Sequence, residues 1–280
     1  MYERALVALD LSPAEQPILD CLPALQSWGV RHMILTHVIQ FGYGQGAGLA
    51  HQQEYEDWLE ACAEPIRAAG LSVEIQVRTS GVPADEIQAA ARDAGADLVV
   101  IGSRGQNLLS RLFLGSVARQ VIRKTTLPLL LEWIEPGADE TAARCQAVCT
   151  DTLRHVLLAT DFSAQGEAAE NAAVALAPRT QQLQCVHVLA DDAMLSESAA
   201  RAALTRLVER IAAAGGRADG ALLTGKPSAE IARHAAEQDA SLILLGKHGR
   251  SWVASRTIGS TATNLCEIAG RPVLMIPAFR

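Results

Sequence analysis

Gly102-Ser-Arg-Gly105 is followed, after nine residues, by Gly115-Ser116, and Gly246-Lys-His-Gly249 is followed, after the same nine, by Gly259-Ser260. Each copy comes after an apolar run, 98–101 or 242–245, and leads into a helical pattern that opens with Val117 or Thr261. A strand that ends in a glycine turn, with a second Gly-Ser at a helix start, presents backbone N–H groups to an anion. The first glycine permits a sharp turn; the second is able to take a positive φ and lets backbone approach a ligand closely. The helix dipole adds about 0.3–1 kcal/mol for a negative charge there. Several such donors together suit a di- or triphosphate. The pattern is neither a P-loop nor the dinucleotide fingerprint, because it lacks G-x-x-x-x-G-K-[ST] and follows the fourth strand of each half, not the first.

Other groups of matching chemistry fall near the same places. Arg104 and Arg111 in the first half, and Lys247, Arg250 and Arg256 in the second, supply positive charge beside the glycines. His248 lies inside the second turn and is the histidine best placed to touch a phosphate. Asp10 and Asp161 close the first strand of each half and share the crevice beyond the carboxyl ends of the strands, where open parallel sheets bind ligands. Each also stands in Asp-x-Ser, which caps helices, and Ser12 and Ser163 read as caps. His37 and His187 stand alone at strand ends, without a second ligand at metal spacing, and read as structural. The acidic run Glu54-Tyr-Glu-Asp57 reads as a solvated helix face.

These residues need a scaffold, and the sequence supplies it twice. Strand patterns over 4–12 and 154–163 end in Asp-x-Ser; helical patterns follow at 13–28 and 164–177. Second strands at 33–39 and 183–189 both contain His-Val, and place Val38 and Val188 at their ends. Helices at 54–69 and 199–214 stop at Gly70 and Gly215. Third strands at 72–77 and 220–223 precede Gly-x-Pro helix starts. Fourth strands, the glycine motifs and fifth strands at 127–131 and 271–276 complete each half. Strands alternating with helices predict an α/β fold: two tandem five-stranded parallel sheets flanked by helices, Rossmann-like in arrangement. The boundaries read as a first domain over residues 1–134, a polar linker over 135–152 and a second domain over 153–280. The glycine-rich stretch 41–48 lengthens the first half, and the entropy of its glycines predicts order only with a ligand.

The chain has 280 residues, enough for two ordinary cores, and 49% of them are apolar. A net charge of −7 argues against nucleic acid as the main partner. No apolar run approaches the roughly 20 residues that span a bilayer, and the first residues enter a strand pattern directly, so the expectation is a cytoplasmic protein without a membrane segment. The six cysteines are scattered and lack a C-x-x-C pair, which predicts reduced, structural thiols.

G-x-x-G, nine residues, then G-[ST] is the ATP-binding motif of the universal stress protein family, and the chain resembles two such domains in tandem. The resemblance rests on the aspartate strands, the His-Val strands, the Gly-x-Pro helix starts and both glycine motifs. It implies the adenine nucleotide alpha-hydrolase-like fold. It also implies that base and ribose meet Asp10 and Val38, and phosphates meet Gly102, Gly105, Gly115 and Ser116, in the first half. Asp161, Val188, Gly246, Gly249, Gly259 and Ser260 are the counterparts in the second. ATP, with ADP or AMP as alternatives and Mg²⁺ as a companion, is the implied cofactor. The implied role is nucleotide-dependent regulation in a stress response through a protein partner, and enzymatic turnover is not the expectation. A slow ATPase, and a scaffold that ignores nucleotide, are the alternatives. Pairing through the fifth strands as an intrachain pseudo-dimer, with a homodimer as a further assembly, is implied too. Many family members carry one more glycine just after the second motif glycine; here those positions read Gln106-Asn-Leu-Leu109 and Arg250-Ser-Trp-Val253. The extra cations Lys247 and Arg250 favour the second half as the better site.

Overall fold

A computed structural model of the protein describes residues 1–12, 15–40, 52–104, 114–135, 146–147, 151–190, 195–250 and 258–278. The chain divides into two compact units, Met1–Ala147 and Val148–Arg280. The first unit carries β1 (Arg4–Leu9), α1 (Glu15–Cys21), β2 (His32–Gln40), α2 (Gln52–Ala68), β3 (Ser72–Ser80), α3 (Pro83–Asp93), β4 (Leu98–Gly102), α4 (Ser116–Lys124) and β5 (Leu129–Glu132). A short antiparallel pair, β6 (Ile134–Glu135) with β7 (Gln146–Ala147), follows. The second unit carries β8 (His155–Ala159), α5 (Glu167–Leu176), β9 (Gln182–Leu189), α6 (Glu197–Ala213), β10 (Ala218–Thr224), α7 (Pro227–Glu237), β11 (Leu242–Gly246), α8 (Ser260–Ile268) and β12 (Val273–Ile276). Stretch 41–48 lies outside the described residues.

Each unit holds five parallel strands, in the order β5-β4-β1-β2-β3 and β12-β11-β8-β9-β10. The α/β architecture of two parallel sheets is therefore the observed one. The central strands β1, β4, β8 and β11 are buried almost throughout, and Leu6, Val99, Val100, Leu157, Ile243 and Leu244 have no exposed surface. Burial on both faces is why these strands read as continuous apolar runs and not as alternating ones. α1 and α2 lie together, joined by a Trp58–Glu15 hydrogen bond, and α5 lies with α6, joined by Arg210 to Asn171. The order in which strands are added reverses between β1 and β4, and between β8 and β11, so the carboxyl ends of these parallel strands open onto a crevice.

Two expectations need correction. The helix expected over 13–28 is α-helical only to Cys21; Leu22–Trp28 is a 3-10 helix with a proline in its first turn. Pro23 has no N–H to give the helix ladder, and its ring crowds the carbonyl four residues back. Pro178 ends α5 in the same way, through the 3-10 turn Ala177–Arg179. The second correction concerns the thiols. Cys62, Cys185 and Cys266 are free, but Cys21 is disulfide-bonded. Bridging depends on Cα atoms within about 7 Å, a tertiary distance that spacing along the chain does not reveal. Among the described residues no helix is long and apolar enough to cross a membrane.

The two units differ at one buried register position. Glu132 pairs with Gly102 across β5 and β4, where Ile276 pairs with Gly246 across β12 and β11. Glu132 is 1% exposed and its Oε2 has no hydrogen-bond partner. Burial pushes its carboxyl up from 4.5 to about 8. The folded protein thus keeps a proton that the unfolded chain releases. Stability is complete below 4.5 and falls as pH rises towards about 8. The slope is at most about 1.4 kcal/mol per pH unit. Melting curves across this window should show a falling Tm for the wild type and a flatter profile for Glu132→Gln. Glu132→Ile, copying the other unit, should raise Tm at pH 8; identical pH profiles for all three would contradict the assignment.

Candidate functional site

The second half shows the site most completely. β8 ends at Ala159, and Asp161 follows two residues on. Its Oδ1 accepts the Ser163 N–H at 3.0 Å, which turns the chain towards α5. Between them Phe162 sits at φ 54, an uncommon conformation for a bulky residue. Two contacts hold it: its N–H donates to the Thr160 hydroxyl at 3.0 Å, and its ring lies 5.1 Å from that of His187. The Thr160 hydroxyl in turn donates to the buried Glu170 at 2.7 Å. His187, 5% exposed, donates its Nδ1–H to the Thr160 carbonyl at 2.8 Å. His187 is thus structural: it ties β9 to the end of β8. Ser163 is not the cap expected of it: its Oγ accepts the Gly166 N–H at 3.1 Å in the turn before α5, whose own N-cap is Gly166 without a side-chain bond.

The glycine turn folds back on this corner. Gly246 ends β11, and a Cβ there would meet the His248 carbonyl oxygen at 3.0 Å and the Gly166 Cα at 3.4 Å. A Cβ on Gly249 would lie 2.5 Å from Asp161 Oδ2. Gly249 is not among the glycines of positive φ, so close approach, and not backbone handedness, requires it. Gly259 donates its N–H to the Lys247 carbonyl at 2.9 Å, closing the nine-residue excursion onto the start of α8. That bond uses the glycine amide. Thr263 makes the first intrahelical bond, to the Gly259 carbonyl at 3.0 Å. The amides of Ser260, Thr261 and Ala262 therefore have no helical partner, and no side chain caps α8. These three donors, with the dipole behind them, point out of the start of α8 and are of the kind that suits an anion.

The cations behave differently from the sequence expectation. Lys247 is 4% exposed, and burial draws its amine down from 10.5 to about 8. Arg250 donates its guanidinium to the Asp161 carbonyl oxygen and its backbone N–H to Asp161 Oδ2, both at 2.7 Å. Neither is a loose surface charge awaiting a phosphate, so they do not mark the second half as the better site. His248 and Val188 are partly exposed beside the turn and the end of β9.

The first half repeats the frame. Asp10 Oδ1 accepts the Ser12 N–H at 3.2 Å, and Leu11 has φ 55, matching Phe162. His37 donates Nδ1–H to the Leu9 carbonyl at 2.9 Å. Gly115 donates to the Ser103 carbonyl at 3.0 Å, and α4 starts at Ser116 without a side-chain cap. Ser103 Oγ accepts the Ile134 N–H at 3.0 Å. Gly102 has Ile18 of α1 2.7 Å from where its Cβ would stand. Val38, Arg104 and Val117 are partly exposed. Gly105, Arg111 and 106–109 lie outside the described residues, as do Trp252, Val253 and Arg256.

Sequence reasoning missed an aromatic group in this half. Tyr55 stacks on His37 at 4.7 Å between ring centroids, and Trp58 meets the same ring edge-on at 5.5 Å. Trp58 donates Nε1–H to Glu15 at 2.8 Å, and burial holds the Glu15 carboxyl above the usual range. The 54–57 run is therefore solvated only in part. The helical spacing of Tyr55, Trp58 and Cys62 was the available signal, since residues three and four apart share a face.

Parallel sheets with uncapped helix starts beyond their strand ends define an α/β protein of Rossmann-like arrangement. The model of the universal stress protein family matches residues 1–131 and again 152–277, and the chain belongs to that family. It is 37% identical over 148 residues to the universal stress protein YxiE of Bacillus subtilis, covering 47% of this chain and 99% of that one. A universal stress protein of Mycolicibacterium smegmatis is 26% identical over 219 residues, 74% of this chain and 69% of that protein. The crystal structure of a universal stress protein from Archaeoglobus fulgidus superposes with a TM-score of 0.77 at 24% identity, covering 98% of this chain and 96% of that one. The fold is that of the adenine nucleotide alpha-hydrolase-like proteins.

The Gly249 contact yields a direct test. Gly249→Ala should drive a methyl into Asp161 Oδ2 and lower stability by about 1–3 kcal/mol, whereas Gly215→Ala, at an open helix end with φ 91, should cost backbone strain alone. Thermal melts of the two variants compare these costs; a Gly249→Ala protein as stable as wild type would show that the turn does not rest on the carboxylate.

Proposed function

We propose that this chain is an adenine-nucleotide-binding regulatory protein that takes ATP in each half. The observation that carries this reading is the corner of the second half, a glycine turn folded onto Asp161 beside the uncapped start of α8, with the same aspartate turn and uncapped helix start in the first half. Phosphates would sit on the amides of Ser116 and Val117 in one half and of Ser260 and Thr261 in the other. Gly102, Gly105 and Gly115, and Gly246, Gly249 and Gly259, keep side chains out of the way. Asp10 and Asp161 would receive ribose hydroxyls, and Val38 and Val188 would lie against the base. Arg104 and His248 border the phosphates. Mg²⁺ enters with the triphosphate, held mainly by phosphate oxygens and waters. Occupancy would change the surface offered to a protein partner in the cytoplasm.

Micromolar affinity corresponds to about −8 kcal/mol, well within reach of several amide–phosphate bonds and a buried base. Calorimetric titration of the purified chain should give two ATP molecules per chain. Gly115→Val and Gly259→Val, which put a branched side chain at a helix start, should each remove one. Mass spectrometry of the denatured protein checks for nucleotide carried through purification. A wild-type chain that binds no adenine nucleotide would end this reading.

A further inference from the structure

We infer that Arg250 is a positioning residue that closes the second-half crevice over Asp161 and makes entry of a ribose there competitive. The inference rests on the nucleotide reading above and adds to it which nucleotide group has to open the site.

A carboxylate offers about four lone-pair positions. In Asp161 one is filled by the Ser163 N–H on Oδ1 and one by the Arg250 N–H on Oδ2. The Arg250 guanidinium fastens the same residue through its carbonyl oxygen. Gly249 packs so tightly on Oδ2 that no Cβ fits between them. Asp161 is thus covered from the side of the glycine turn, the side on which the anion-facing amides of α8 also lie. A ribose cis-diol approaching this carboxylate brings two O–H donors to a group whose accessible oxygen already holds an N–H.

One side of this contact is buttressed by several bonds and the other is an exposed residue held by two. Asp161 is flanked by Phe162, whose left-handed backbone is pinned by Thr160 and His187, and Thr160 is itself bonded to Glu170. Moving the aspartate would break that set together. Arg250 is exposed, follows a glycine and is held at this corner by its two bonds to Asp161. Opening therefore lifts Arg250 off a fixed carboxylate. In the closed form the guanidinium is tethered to the Asp161 carbonyl, which holds the residue-250 amide on the carboxylate, so Arg250 acts there as a competitor of the ribose.

The test uses the full chain carrying Gly115→Val, so that ATP reports on the second half. Adding Arg250→Ala should tighten ATP about fivefold, the scale of one ordinary net hydrogen bond. Hydrogen exchange of the residue-250 amide gives a second readout that a purely structural role would not move. ATP should speed that exchange in the Arg250 protein, because the ribose displaces the amide. Weaker ATP binding in Arg250→Ala, or unchanged affinity, overturns the inference, as does slower amide exchange on adding ATP, which would make the closed turn the ligand-bound form. These outcomes all require ATP to bind; a wild-type chain that binds none removes the nucleotide reading itself, and the competition with it.

Discussion

The structure depends on how each half leaves its first strand. A parallel sheet delivers the chain to its carboxyl edge with polar backbone groups that the strand no longer pairs. The aspartate two residues past Ala159, and its counterpart just past Leu9, meets that need by accepting the amide two residues on. The intervening residue is forced to a left-handed φ in both halves, 55 at Leu11 and 54 at Phe162. Such a residue costs of order 1–2 kcal/mol and persists because the surroundings hold it. The neighbouring strand helps: the ring N–H of His37 or His187 fixes the carbonyl that precedes the aspartate. A pair of histidines that look chemical in sequence is thus part of the frame.

The glycine motif is organised around that corner. In the second half the turn comes to rest on Asp161, and in both halves the third motif glycine, Gly115 or Gly259, spends its own amide on the residue after the first. The amides left without a helical partner are consequently the next ones in the helix. The glycines serve by absence of side chain and not by unusual backbone angles, since Gly102, Gly246, Gly249, Gly115 and Gly259 all lie outside the positive-φ set. Charge supply follows the same logic. Lys247 and Arg250 are close to the site in sequence, yet one is buried and the other is fastened to Asp161.

The halves share a frame and differ in what they place on it. Thr160 builds a hydroxyl link to Glu170 where the first half has Leu9. The first half has Tyr55 and Trp58 around His37 where the second has Phe162 against His187. Glu132 occupies the register position that Ile276 fills. Duplicated domains that must hold the same sheet are free to diverge at side chains that the backbone ladder does not read.

Strand order, helix order and the repeat were legible in the sequence because they follow from hydrophobic period, turn residues and spacing, all properties of neighbouring residues. The pairing of each glycine motif with an aspartate was legible for the same reason, as two local patterns recurring together. The helix ending at Pro23 was local too, and was missed only because apolar spacing continues through it. The Cys21 disulfide, the burial of Lys247 and Glu132, the Tyr55–His37 stack and the seating of Arg250 on Asp161 belong to another category. Each joins residues far apart in the chain, or sets how much water reaches a charge. The tertiary structure alone decided them, because hydrogen bonds, contacts and the cost of burying a charge depend on distance in space.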